Sequence, residues 1–113
     1  MDYWHNPRCS KSREALALLK EKGVEPEVRL YLDTPPGTEE LKGLITKLGL
    51  SSAREMMRTK EAIYKDLGLK DVTDEDALIA AMADNPKLIE RPILVVGDRA
   101  VIGRPPETVQ DLI

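Results

Sequence analysis

Apolar and polar positions alternate and cluster along this chain in a way that separates strand from helix. Tyr3–Trp4 read as the end of a short first strand, with Asn6-Pro7 as a turn signal. From Ser10 to Lys22 the apolar residues Ala15, Leu16, Leu18 and Leu19 recur at helical spacing, and Gly23 stops the run. Val28, Leu30 and Leu32 alternate with Arg29 and Tyr31, which predicts a second strand. Thr34-Pro35-Pro36-Gly37 breaks it. A helix capped by Thr38 then runs to Leu48, with Glu39 and Glu40 in its first turn and Gly49 as its stop.

Ser52 and Glu55 have capping-box spacing and predict a short helix. A further turn or two covers Lys60 to Leu67, ended by Gly68, and Thr73 with Asp76 opens a helix that reaches Ala83 and closes at Asn85-Pro86. Ile93 to Val96 is β-rich and apolar on both faces, as in a central strand. Gly97-Asp98 is a hairpin signal before Val101 and Ile102, and Pro105-Pro106-Glu107 opens a terminal helix to Leu112. The order is β-α-β, a helical block, a β-hairpin and a last helix. It predicts an α/β fold of thioredoxin-like type: a mixed four-stranded sheet, parallel in its first β-α-β unit, with a helical insertion in the middle of one domain spanning 1–113.

Composition narrows the function classes. The 113 residues are 42% hydrophobic and 33% charged, a soluble globular mix. A net charge of −3 argues against binding nucleic acid through a basic surface. No apolar run is long enough to span a bilayer, and Met1-Asp2-Tyr3-Trp4-His5 lacks the basic and apolar regions of a secretory signal. A cytoplasmic protein is expected, and nothing in the sequence demands more than a monomer. One Cys and one His are too few for a soft-metal site, so no metal is expected, and any second thiol in a redox step comes from outside the chain.

Cys9 falls between the first strand and the first helix. Free N–H groups at a helix N-terminus favour a thiolate. Lys11 and Arg13 add positive charge, Ser10 and Ser12 offer hydroxyls, and His5 lies one turn upstream. A lone cysteine is commonly a small buried apolar residue. Its polar, cationic flanks here make burial awkward, so the residues alone leave both readings open. They do not settle whether His5 is catalytic.

His5-Asn6-Pro7-Arg8-Cys9-Ser10-Lys11-Ser12-Arg13 resembles the catalytic loop of the glutaredoxin-coupled arsenate reductases. The resemblance continues, in order, through Leu30 to Pro36, Met57-Arg58-Thr59-Lys60, Glu90-Arg91-Pro92-Ile93 and Gly103-Arg104-Pro105. It implies that Cys9 attacks arsenate, that glutathione attacks the adduct as co-substrate, and that glutaredoxin resolves the mixed species so that arsenite leaves. It implies that Arg58, Arg91 and Arg104 hold the oxyanion, that His5 and Ser12 lower the cysteine pKa, and that Pro92 is the cis-proline facing the cysteine. Two other readings fit the same fold. One is a monothiol glutathione-dependent transferase or deglutathionylase, suggested by Cys9-x-x-Ser12. The other is a non-enzymatic regulator that binds RNA polymerase.

Overall fold

Strand β1 (Asp2–Trp4) runs parallel to β2 (Glu27–Arg29), with Tyr3 opposite Val28, and helix α1 (Ser10–Glu21) joins them. The computed structural model describes residues 1–113, which form two units: Met1–Thr34 with Arg91–Ile113, and Pro35–Glu90. In the first unit, β3 (Ile93–Val96) lies antiparallel to β1 and β4 (Arg99–Ile102) lies antiparallel to β3. The strand order is β2-β1-β3-β4, a mixed sheet of thioredoxin-like type. The helical insertion expected between the second and third strands is the second unit.

One buried cluster of the sheet-bearing unit forms against α1. Ala15 and Leu19 of α1 pack on Tyr3 of β1, Leu94 of β3 and Val109 of a terminal 3₁₀ turn, Pro106–Leu112. That turn stands where an α-helix is predicted. Helix α1 ends in a paired closure: the Gly23 N–H donates to the Lys20 carbonyl and the Val24 N–H to the Leu19 carbonyl. Gly23 sits at φ +75°, a conformation that side-chain-bearing residues avoid. Val24 then folds back onto the cluster that holds Leu19.

The second strand is shorter than the alternation predicts. It stops at Arg29, because the Leu30 carbonyl accepts from the N–H groups of both Asp33 and Thr34 and turns the chain. The inward face reverses as well. Tyr31 is buried and stacks on Trp4 with ring centroids 6.1 Å apart, whereas Val28, Leu30 and Leu32 remain 47%, 39% and 36% exposed. An aromatic ring, not the aliphatic series, covers Trp4.

The second unit holds α2 (Thr38–Leu48), α3 (Ala62–Asp66) and α4 (Glu75–Asp84). Thr38 is the first helical residue rather than the cap, which is Gly37. The Ser52/Glu55 capping box is present, heading a 3₁₀ turn over Ala53–Met56. Helix α4 starts at Glu75, whose carboxylate accepts from the Ala53 N–H at 2.6 Å and the Ser52 hydroxyl at 2.8 Å. Arg54 ties this unit together: its guanidinium donates to the Tyr64 hydroxyl and to the carbonyls of Leu69 and Val72. No helix is long and apolar enough to cross a membrane.

Candidate active site

Cys9 occupies the N-cap position of α1 with extended backbone, and the Arg13 N–H donates to its carbonyl at 3.1 Å to begin the helix. The loop before it is shaped by Asn6. The Asn6 carbonyl accepts from the Cys9 N–H at 3.0 Å, its side-chain Oδ1 accepts from the Arg8 N–H at 3.0 Å, and its own N–H donates to Ser12 Oγ at 3.1 Å. Arg13 closes the loop from the helix side, its Nη1 donating to the Pro7 carbonyl at 2.8 Å. The His5 N–H donates to the Arg29 carbonyl at 2.9 Å, which fixes the loop to β2.

Beneath the loop lies a buried polar chain. His5 Nδ1 and Ser12 Oγ are 2.7 Å apart, and the Tyr3 hydroxyl donates to the Ser12 carbonyl at 2.5 Å. Ser12 and Tyr3 are fully buried and His5 nearly so. Burial, reinforced by the charges of Arg13 and Lys20, holds the His5 pKa below its ordinary value, so the ring is neutral at pH 7. Burial pushes the Tyr3 phenol up to about 12, so it is always a donor under working conditions.

The Cys9 thiol is held below its ordinary value by competing effects. Burial pushes it up. The Ser12 amide, the hydrogen bond and charge of Arg91, and the Lys11 amide together outweigh that. Cys9 closes no cap hydrogen bond at ordinary geometry, and the two amides act instead by aiming the positive end of the helix at the sulfur. Arg104 adds a second guanidinium, with Nη2 3.5 Å from Sγ. Its Nε donates to the Arg91 carbonyl at 2.8 Å, so the two arginines are linked through backbone as well as through their shared target.

The Arg91–Pro92 peptide is cis, and so is Arg104–Pro105, which the sequence flags only as a helix start. The two segments are stitched together by the Gly103 N–H, which donates to the Pro92 carbonyl at 2.8 Å. A Cβ on Gly103 would sit 2.7 Å from Pro92 Cγ and 3.0 Å from Val109 Cγ1, so only glycine allows this approach.

Six of the expected site residues therefore fall in one unit: Cys9, His5, Ser12, Arg91, Pro92 and Arg104. Arg58 belongs to the other unit. There its Nε donates to Glu61 at 3.0 Å and its Nη1 to Glu90 at 3.2 Å, while its N–H donates to the Leu88 carbonyl at 2.7 Å. Its charge already faces two carboxylates. The cations expected beside the sulfur are differently employed too: Lys11 pairs with Glu14 at 3.7 Å and Arg13 holds Pro7. Asn6 and Tyr3 are the residues that sequence reading missed. Asn6 registered as half of a turn signal and as a member of the resembling loop with no role of its own, and Tyr3 only as part of a strand.

Chemically, the arrangement presents a buried thiol biased toward its anion, two guanidinium groups that act on it, and a neutral histidine hydrogen-bonded to Ser12. It suits attack by sulfur on an electrophile that carries negative oxygen.

Known proteins resemble this chain in sequence and fold. The model of the ArsC family matches residues 4–112. An arsenate reductase of Neisseria meningitidis is 56% identical over 108 residues, covering 95% of this chain and 92% of the relative. The uncharacterized protein YfgD of Escherichia coli is 60% identical over 111 residues, covering 97% and 93%. Among solved structures, an arsenate reductase from Vibrio cholerae superposes with a TM-score of 0.96 at 54% identity, covering 100% of this chain and 98% of that one.

Proposed function

This chain belongs to the ArsC family, and on that footing we propose that it reduces arsenate to arsenite, with Cys9 as nucleophile, glutathione as co-substrate and glutaredoxin as the resolving partner. The observation that carries the reading is the Cys9 sulfur at the start of α1 with Arg104 Nη2 3.5 Å away, its pKa lowered in part by Arg91.

A thiolate and an oxyanion repel one another, so the reaction needs cations placed before the anion arrives. Arginine suits this because its planar fork of donors binds two oxygens at once. Arg91 and Arg104 take that role. In the first step a bond forms between Cys9 sulfur and arsenic as an arsenate oxygen leaves as water. The glutathione thiolate then supplies the second sulfur. A glutaredoxin thiol then takes the glutathionyl sulfur as a mixed disulfide, the electron pair of the broken sulfur–arsenic bond stays on arsenic, which falls from +5 to +3, and water releases arsenite and regenerates the Cys9 thiol. Neutral His5 and buried Ser12 position the first turn of α1, whose amides favour the thiolate.

Arg58 is the third arginine that the resemblance brings to the oxyanion. Its pairing with Glu61 and Glu90 supports a smaller share for it than for the other two. No metal takes part, and the compartment we assign is the cytoplasm.

The test is steady-state turnover of arsenate with glutathione and glutaredoxin. Wild type is expected to produce arsenite, Cys9→Ser none, and Arg104→Ala and Arg91→Ala each far less than wild type. Reduction of glutathionylated protein without arsenate turnover would instead favour the monothiol transferase.

A further inference from the structure

The alternating residues that do not enter the core raise a question of their own. Leu30 and Leu32 stay 39% and 36% exposed. They are not scattered: with Asp33 they form one wall of a groove of about 310 Å³, whose other wall is residues 5–8 of the active-site loop. That loop runs directly into Cys9, so one wall of the groove ends at the residue before the nucleophile.

The groove has a definite chemistry. Its apolar lining comes from the two leucines and Pro7. A guanidinium, Arg8, stands on the loop wall, and a carboxylate, Asp33, stands on the other; both side chains are exposed. Its volume falls at the lower end of small-ligand sites, which run about 300–1,000 Å³. The occupant that matches is small and elongated, carries both a carboxylate and an ammonium, and has apolar backbone between them. We infer that this groove seats the reducing co-substrate, a tripeptide thiol of the glutathione type, with a carboxylate toward Arg8 and its ammonium toward Asp33.

The inference rests on the function proposed above, because it is that reaction which calls for an external thiol at this position. A second groove of about 350 Å³, lined by Lys22, Val24, Gln110 and Ile113, offers a contrast. It lies at the far end of α1, a 12-residue helix and hence about 18 Å long, away from the sulfur at the first turn. A thiol bound there cannot reach Cys9.

The experiment titrates the isotope-labelled protein with S-methylglutathione, which keeps the charges and shape of glutathione but cannot react. Amide shifts are expected to concentrate at residues 5–9 and 30–33 and to saturate in the millimolar range. Asp33→Lys and Leu30→Glu, both changes to exposed side chains, are each expected to weaken binding by about five-fold or more. In turnover they raise the KM for glutathione and leave the KM for arsenate unchanged. Shifts confined to residues 22, 24 and 110, or no saturable shift below roughly 20 mM, overturn the groove. Arsenate turnover with no groove response overturns the groove alone. Saturable binding at the groove without arsenate turnover overturns the assigned reaction and leaves the groove standing.

Discussion

The Nη2 of Arg104 lies 3.5 Å from the sulfur of Cys9, across 95 positions of sequence. This contact makes the thiol a property of the fold rather than of its own loop. Arg104→Ala removes a charge that favours the anion, so the Cys9 pKa rises toward its ordinary value. On the proposed mechanism it also lowers kcat for arsenate by roughly 10²-fold. Arg104→Lys retains the charge without the fork and recovers activity only in part. The pH dependence of alkylation by iodoacetamide reads the first effect, and arsenite formation reads the second.

Stability also depends on this thiol. A folded-state pKa below the unfolded value favours the native state where the thiolate forms. The contribution is full above the unfolded thiol value of about 8.5, and it is lost as pH falls through the folded pKa. Wild type therefore gains stability relative to Cys9→Ser as pH rises through that window. Urea midpoints for both proteins from pH 5 to pH 9.5 measure the gap, and a gap that stays flat contradicts the prediction.

His5 works on the acid side. Its folded pKa is depressed, so the neutral ring belongs to the native state. Stability is full above the unfolded value of about 6.5 and declines as pH falls below it, because the unfolded chain takes up the proton first. His5→Gln removes this dependence. Urea unfolding is expected to show a smaller stability advantage of wild type over the variant at pH 5 than at pH 7.5, where only the constant cost of the substitution separates them.

Much of the scaffold could be read in advance. Gly23, Gly49 and Gly68 mark helix ends because each takes a positive φ, a local property that sequence states directly. The Ser52/Glu55 box is legible for the same reason. The second strand is over-extended because alternation records parity, not direction: the turn at Leu30 has no glycine or proline to announce it, and Tyr31 takes the inward position. At the site, Cys9 and Ser12 stand out from local pattern. Arg91 and Arg104 emerge only through resemblance, since no local rule joins them to a cysteine at the other end of the chain. The several bonds of Asn6 were invisible because one of them reaches a serine inside the next helix.

Gly103 offers a stability test with an internal control. Gly103→Ala places a methyl 2.7 Å from Pro92 Cγ, an overpacking cost of about 1–3 kcal/mol. Gly43→Ala lies inside α2 with nothing within 4 Å, and helix propensity predicts a gain of about 0.5–1 kcal/mol. Thermal unfolding of the two variants is expected to move in opposite directions.

Arg54 predicts the largest loss in the second unit. Arg54→Met leaves the carbonyls of Leu69 and Val72 and the Tyr64 hydroxyl without their donor, a cost on the order of 3 kcal/mol. Hydrogen exchange is expected to speed up around residues 64–72 more than in the sheet. Uniform acceleration across the chain contradicts a local role.

The bonds that Asn6 makes to Arg8, Cys9 and Ser12 have a consequence for capture. They fix the loop when the chain folds, before any ligand is present. The chain entropy of that segment is already gone, so an arriving anion gives up only its own translation and rotation. Encounter then sets the pace: association should be fast, nearly independent of temperature beyond solvent viscosity, and free of a slow rearrangement phase in stopped flow. Loosening the loop with Asn6→Ala converts the same site into one that must order itself on every turnover.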